Sequence, residues 1–431
     1  MLTLLLLGYL ALMLFKKDPS LFLPGDTSDG HYQIESDCTA CHTGFSGVLQ
    51  EACLNCHDDE LQSVNDSHPP KKFTDPRNAS KLALIDARYC VSCHREHRPS
   101  MTHSMGVTLA EDFCVYCHSD IASDRPSHAD LAFDTCRLCH LYHDNTALYE
   151  DFLIQHLNEP RILPQARVPQ RNLLASYRRT AQHPLVRLSA ADQDAPESVE
   201  WNQARDWEGT SHGNSGVNCM ACHARQETAK TGGMSDWVDK PDHTACARCH
   251  AKETQGFLTG RHGMRQAQGM PAMHTGLARR LMAGLNKTVN CVACHPAHRF
   301  DTREAAVEAC LGCHDDEHSK AYKGSAHYQL WRAEMAGQGK PGSGVSCATC
   351  HLPRQLADDK DVEHNLVQHN QNLNLRPNQK MVRGVCLYCH GLGYTLNALA
   401  DRELINSNFT GNPTMHIESL EMAAKRLDKH E

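Results

Sequence analysis

The longest apolar run in the chain lies at its start. Residues 2–15 read LTLLLLGYLALMLF without a polar interruption, and Lys16 and Lys17 follow. The run suits a signal-peptide core or a short buried helix and falls below the ~20 residues of a usual span. No basic segment precedes it, and no small-x-small cleavage site follows it. Its lysines also oppose the orientation that an exported chain requires. One explanation for the missing basic segment is a start placed too far downstream. We expect an uncleaved single-pass anchor over residues 2–15, with a cleaved export signal as the alternative.

Beyond this run the apolar positions come in short groups. No sustained period-2 alternation appears, so almost no sheet is expected. Short helices joined by loops rich in Gly, Pro, Asp and Asn are predicted. Residues 145–157 read as one such helix. Residues 413–429 read as another, with Asn412 as N-cap and Pro413 at the first helical position. Ile417, Leu420, Met422 and Leu427 would form its packing stripe. Aromatic residues are only 6% of the 431, and mean hydropathy is −0.52. A chain this long should bury a large core. With so little aromatic material, something other than protein is expected to fill the interior.

The cysteines identify what that is. All 22 fall in C-x-x-C-H motifs. Five are Cys38-Cys41-His42, Cys53-Cys56-His57, Cys90-Cys93-His94, Cys114-Cys117-His118 and Cys136-Cys139-His140. Six more are Cys219-Cys222-His223, Cys246-Cys249-His250, Cys291-Cys294-His295, Cys310-Cys313-His314, Cys347-Cys350-His351 and Cys386-Cys389-His390. C-x-x-C-H is the attachment signature of haem c. Two thiols add to the two vinyl groups, which needs a fixed short spacing, and the adjacent His becomes the proximal iron ligand. A disulfide framework would not need a His after every second Cys. Zinc sites do not repeat a His at one offset eleven times, and a thioredoxin-like C-x-x-C sits beside a βαβ pattern that is missing here. Eleven covalently attached haems are expected. The fold class is then mainly α with extensive irregular loops, a multihaem cytochrome c organised around stacked haems.

The motifs also divide the chain. We expect an anchor or signal over 1–24, a pentahaem domain over 25–160, a connector over 161–205, a hexahaem domain over 206–396 and a helical tail over 397–431. Residues 141–218 carry no motif, and Pro160, Pro164, Pro169, Pro184 and Pro196 punctuate them.

The 30 His leave 19 outside the motifs, enough to give every iron a second imidazole. His97, His143 and His298 each follow a proximal His by three residues, and His318 follows His314 by four. A side chain that close cannot reach the far face of its own haem, so it should serve a neighbour. His31 and His212 each precede a motif by seven residues. His68, His128, His243, His262, His327 and His416 complete the candidate distal ligands, with His103, His274, His364 and His369 in reserve. A Met ligand is an alternative for one iron.

Haem attachment takes place on the outer side of the bacterial cytoplasmic membrane. The expected location is therefore the periplasmic side of that membrane, anchored by residues 2–15. The alternative is an exported soluble periplasmic or extracellular protein. Formal charge is −8, and eleven pairs of propionates would add up to about −22. This argues against nucleic acid and for redox partner proteins.

In CTACH, CLNCH, CVSCHREH, CVYCH and CRLCHLYH, the first half resembles class III and cytochrome c7-like modules. Residues 310–353, CLGCHDDEHSKAYKGSAHYQLWRAEMAGQGKPGSGVSCATCHLP, are similar to the haem core shared by pentahaem nitrite reductases, hydroxylamine oxidoreductases and octahaem tetrathionate reductases. That second resemblance implies a distal-ligand role for His327. The chain departs from those families in having no C-x-x-C-K motif, no assignable cross-linking Tyr and only 41 residues after His390. Two functions follow as expectations. The first is an electron conduit between a membrane or quinone-linked donor and a periplasmic or outer-membrane acceptor. The second is an oxidoreductase acting on nitrite, hydroxylamine or tetrathionate at one open haem, with Arg261 and His262 as candidate catalytic residues. A homo-oligomer or filament would reveal itself by a haem ligated from the next copy.

Overall fold

A computed structural model describes residues 2–15, 22–64, 66–144, 149–169, 201–224, 237–278, 286–359, 362–375 and 377–427. The architecture is mainly α with almost no sheet. Helices are short, mostly one to three turns, because a motif, a helix and a loop recur every few tens of residues. Two antiparallel hairpins supply the strands. His42–Thr43 pairs with Gly47–Val48. Arg354–Asp359 pairs with Val362–Val367, in register from Arg354 opposite Val367 to Asp359 opposite Val362.

The chain forms two compact units. The first contains Met1–Glu159 and His416–Glu431, and the second contains Pro160–Met415. The expected tail over 397–431 is thus divided between them. In the first unit, helix Ser419–Leu427 packs on helix Glu150–Gln155. Ala423 and Leu153 are buried there, and Arg426 reaches Glu150 at 2.6 Å. The helix expected over 145–157 is confined to Glu150–Gln155, and 145–148 lie outside the described residues.

The helix expected over 413–429 starts only at Ser419. Its intended cap is engaged elsewhere, since Asn412 Oδ1 accepts from Arg161. Asp401 also accepts from the backbone N and hydroxyl of Thr414, at 2.6 and 2.8 Å, and holds that segment extended. Hydrogen bonds from the Leu404 N–H, at 3.0 Å, and from the Thr414 N–H and hydroxyl favour the charged form of Asp401 and lower its pKa to about 2.

In the second unit, part of the expected connector is built into the fold. Leu163 and Arg167 donate backbone hydrogen bonds to Cys389 and Tyr388, and Ile162 bridges to His390. Residues 170–200 lie outside the described residues. Helix Leu392–Ala400 buries Leu392, Leu396, Ala398 and Leu399 on one face, close to Val382 and Val385 in sequence.

The anchor expectation is corrected. Among the described residues no helix is long and apolar enough to cross a membrane. Helix Leu2–Phe15 rises only about 21 Å at ~1.5 Å per residue, against a hydrocarbon core of roughly 30 Å.

Candidate metal centres

Most motifs form or end a single helical turn. The His backbone N–H donates to the carbonyl of the first Cys at 2.8–3.0 Å in the motifs of His94, His118, His140, His250, His295, His314 and His390. Positions i, i+3 and i+4 share one helix face, so this turn presents both thiols and the imidazole together. The residue before the first Cys often caps the turn. Asp37, Asn218, Asn290 and Ser346 each accept a backbone N–H there. At Ser346 the arrangement is reciprocal, with Thr349 Oγ1 accepting from the Ser346 N–H.

Each motif histidine faces one histidine from another part of its own unit. In the first unit the pairs are His31–His57, His42–His97, His68–His118, His94–His143 and His128–His140. In the second they are His212–His250, His223–His298, His262–His314, His295–His369, His318–His351 and His327–His390. Ring centroids lie 6.0–6.5 Å apart in all eleven. Two imidazoles bound to one metal from opposite sides, at roughly 2 Å per bond, have centroids about 6 Å apart.

The outer nitrogens agree with this geometry. Ligating histidines usually donate their second N–H to a carbonyl or carboxylate, which fixes the tautomer and orients the ring. Here Nδ1 meets a backbone carbonyl at His68 (Tyr142), His97 (Gly25), His223 (Val238), His369 (Val367) and His390 (Arg161), at 2.5–2.9 Å. His318 does the same with Ile405. It meets a carboxylate at His31 (Glu96, 2.7 Å) and His143 (Asp66, 3.0 Å). At His318 the Asn408 amide also lies 3.2 Å from Nε2. Burial lowers the pKa of His212, His262, His327 and His351 to about 4, so these rings are neutral, the form that binds metal.

The backbone also contributes. His97 and His298, three residues after a motif His, have φ of 59° and 66°. This left-handed conformation is uncommon outside glycine. It turns the chain so that each ring joins a pair with a different motif.

Other candidates lie elsewhere. His243 has Nδ1 3.1 Å from Gln266 Nε2. His416 is exposed, with Nε2 3.2 Å from Glu421. Among the described residues neither ring faces a motif histidine. His369, held in reserve from sequence, stands opposite His295. His274 uses both nitrogens, on Asn286 and the Gly276 N–H. His103 is exposed, and His364 lies in strand Val362–Val367. His262 faces His314, so the suggested catalytic pair Arg261 and His262 includes a ring already opposite a motif ligand. Sequence reasoning did not find the aromatic neighbours. Tyr142 stacks on His68 at 4.1 Å, Trp237 on His223 at 4.4 Å and Tyr394 on His390 at 5.0 Å. No spacing rule signals them.

The surroundings fit haem. The 22 thiols are free, so no disulfide competes for them. Among the described residues no three His, Cys, Asp or Glu converge as a bare metal site. A cavity of about 1700 Å³ runs through the second unit, bordered by Cys219, Cys246, Cys291, Cys350 and Cys389 among others. That exceeds the roughly 300–1,000 Å³ of a usual ligand pocket.

Residues 30–119 match the family model of cytochrome c3. The match spans the first four motifs and contains three complete histidine pairs, His31–His57, His42–His97 and His68–His118. It supports a multihaem electron-transfer cytochrome with covalently bound haem c. No curated protein and no solved structure matches the chain, so the resemblance of residues 310–353 gains no support from these comparisons.

Proposed function

We propose that the chain carries eleven haem c groups, each held by two motif cysteines and by one of the eleven histidine pairs, and that it conducts electrons between redox partner proteins. The observation that carries this reading is the uniform 6.0–6.5 Å ring separation in every pair, with a motif histidine always on one side. When bound, haem iron supplies a one-electron ferric/ferrous couple.

The protein's part is positional and electrostatic. The cysteines fix each group at two points. The two imidazoles of each pair would both hold the iron, and the same residues would hold it in either oxidation state. Every motif histidine has a partner in its own unit, so this reading needs no ligand from a second copy. The acidic balance of the chain, deepened by propionates, favours donors and acceptors with basic surfaces.

The enzymatic alternative needs an iron with an open position. Its suggested residue His262 is committed opposite His314, and all eleven motifs end in His rather than Lys. The test is optical and EPR spectroscopy of the oxidised, haem-loaded protein before and after adding nitrite and hydroxylamine. An entirely low-spin spectrum that ignores both additions is expected. A high-spin signal of about one haem per chain that shifts on addition would overturn the conduit reading in favour of catalysis.

A further inference from the structure

We infer that Glu96 sets the reduction potential of the second centre, the one held by Cys53, Cys56 and the pair His31–His57. The inference rests on the bis-histidine reading above. Glu96 Oε1 lies 2.7 Å from His31 Nδ1. The same carboxylate accepts the Ser28 N–H at 2.5 Å and the Ser28 hydroxyl at 2.8 Å, so its position is fixed from two further directions. Across the pair, His57 Nδ1 lies 3.4 Å from Glu60 Oε2. Both rings of this pair therefore face carboxylates. The rings of His97, His223, His318 and His390 instead use backbone carbonyls, which are dipoles without net charge.

An imidazole that donates Nδ1–H to a carboxylate gains imidazolate character and becomes a more basic ligand. The ferric form carries one more positive charge than the ferrous form. A more basic ligand with an anion behind it stabilises the ferric form more and lowers the potential. The contact is only partly exposed, with side-chain exposure of 34% at His31 and 28% at Glu96, so solvent screens the charge incompletely.

The position of Glu96 adds a consequence. It stands between His94, the motif ligand of the third centre, and His97, which faces His42 of the first. One short segment thus carries ligands for the two neighbouring centres and the tuning carboxylate for the one between them. The third centre has one such contact, Asp66 at 3.0 Å from His143 Nδ1, where the second has two.

The test is a spectroelectrochemical titration, with EPR, of the full haem-loaded chain as wild type, Glu96→Gln, Glu96→Asp and Glu421→Gln. Gln keeps an acceptor and removes the charge. We expect Glu96→Gln to move one wave at the negative end upward by a tenfold change in the one-electron equilibrium, which is 59 mV. The other waves and the low-spin count should hold. Glu96→Asp should keep that wave close to its wild-type position, and Glu421→Gln, beside His416, whose ring faces no motif histidine, should be silent. No displaced wave in Glu96→Gln, or an equal drift of all waves as from lost surface charge, overturns the inference. If Glu96→Gln fails to load haem, Glu60→Gln reads the same wave, with an upward move in support and none against. A wild type that lacks eleven low-spin haems is a separate result and defeats the underlying reading instead.

Discussion

At the scale of single residues, the structure reverses the order in which the sequence ranks two histidines. His243, three residues before Cys246, is a sequence candidate for a distal ligand, and His369 is held only in reserve. Structure distinguishes them, because His369 Nδ1 meets the Val367 carbonyl at 2.8 Å and its ring faces His295, whereas His243 Nδ1 is 3.1 Å from the Gln266 amide nitrogen. The prediction is specific. His369→Ala should open one iron, giving a high-spin EPR signal of about one haem per chain and a new ability to bind CO. His243→Ala and His416→Ala should leave the low-spin signal unchanged. A high-spin signal from either of the latter two, with none from His369→Ala, would reverse the assignment.

Among elements, the recurring unit is the short helical turn that carries most motifs, capped by the preceding side chain at Asp37, Asn218, Asn290 and Ser346. A turn this short has little stability of its own, so its cap matters. Ser346 is buried and makes a reciprocal cap with Thr349 at the start of helix Cys347–His351. Ser346→Ala should cost about 1 kcal/mol, measured as a lower denaturation midpoint at unchanged slope. A loss below experimental error would mean that attachment of the cofactor alone holds the turn.

This scale also explains where pattern reading stopped short. Asn412-Pro413 has the local form of a helix start, yet Arg161 and Asp401 engage Asn412 and Thr414, and the helix begins at Ser419. Local propensity is a few tenths to about 1 kcal/mol per residue, and a charged acceptor on a backbone N–H outweighs it. The hairpin Arg354–Val367 went unread because its strands lack the apolar/polar alternation by which strands are recognised.

For the whole molecule, the sparse protein core is decisive. Among its described residues the first unit buries only Ile34, Phe113, Leu153, Ile417 and Ala423 as apolar side chains. Ordering backbone costs roughly 1–2 kcal/mol per residue, which five buried side chains cannot offset. Covalent haem must therefore supply much of the interior. Chain produced without haem attachment should show no cooperative thermal unfolding and weak near-UV dichroism. The loaded chain should unfold cooperatively and give eleven haems by pyridine haemochrome. A cooperative transition in the haem-free chain would show that the protein core suffices.

The sequence by itself determined the attachment chemistry, the number of motifs, their grouping and the scarcity of sheet. These depend on contacts within five residues, or on the absence of a pattern, and such features are written locally. It also indicated that His97, His143, His298 and His318 must serve neighbouring centres, because a ring three or four residues from a proximal ligand cannot reach the opposite face. Only the tertiary structure decided which histidine meets which. His31 pairs with His57 across 26 positions, and His262 with His314 across 52. Only it showed that Glu96 stands behind His31, 65 residues away. The physical reason is that a second ligand is chosen by where loops return in space, and separation along the chain carries no distance in space once the chain has folded.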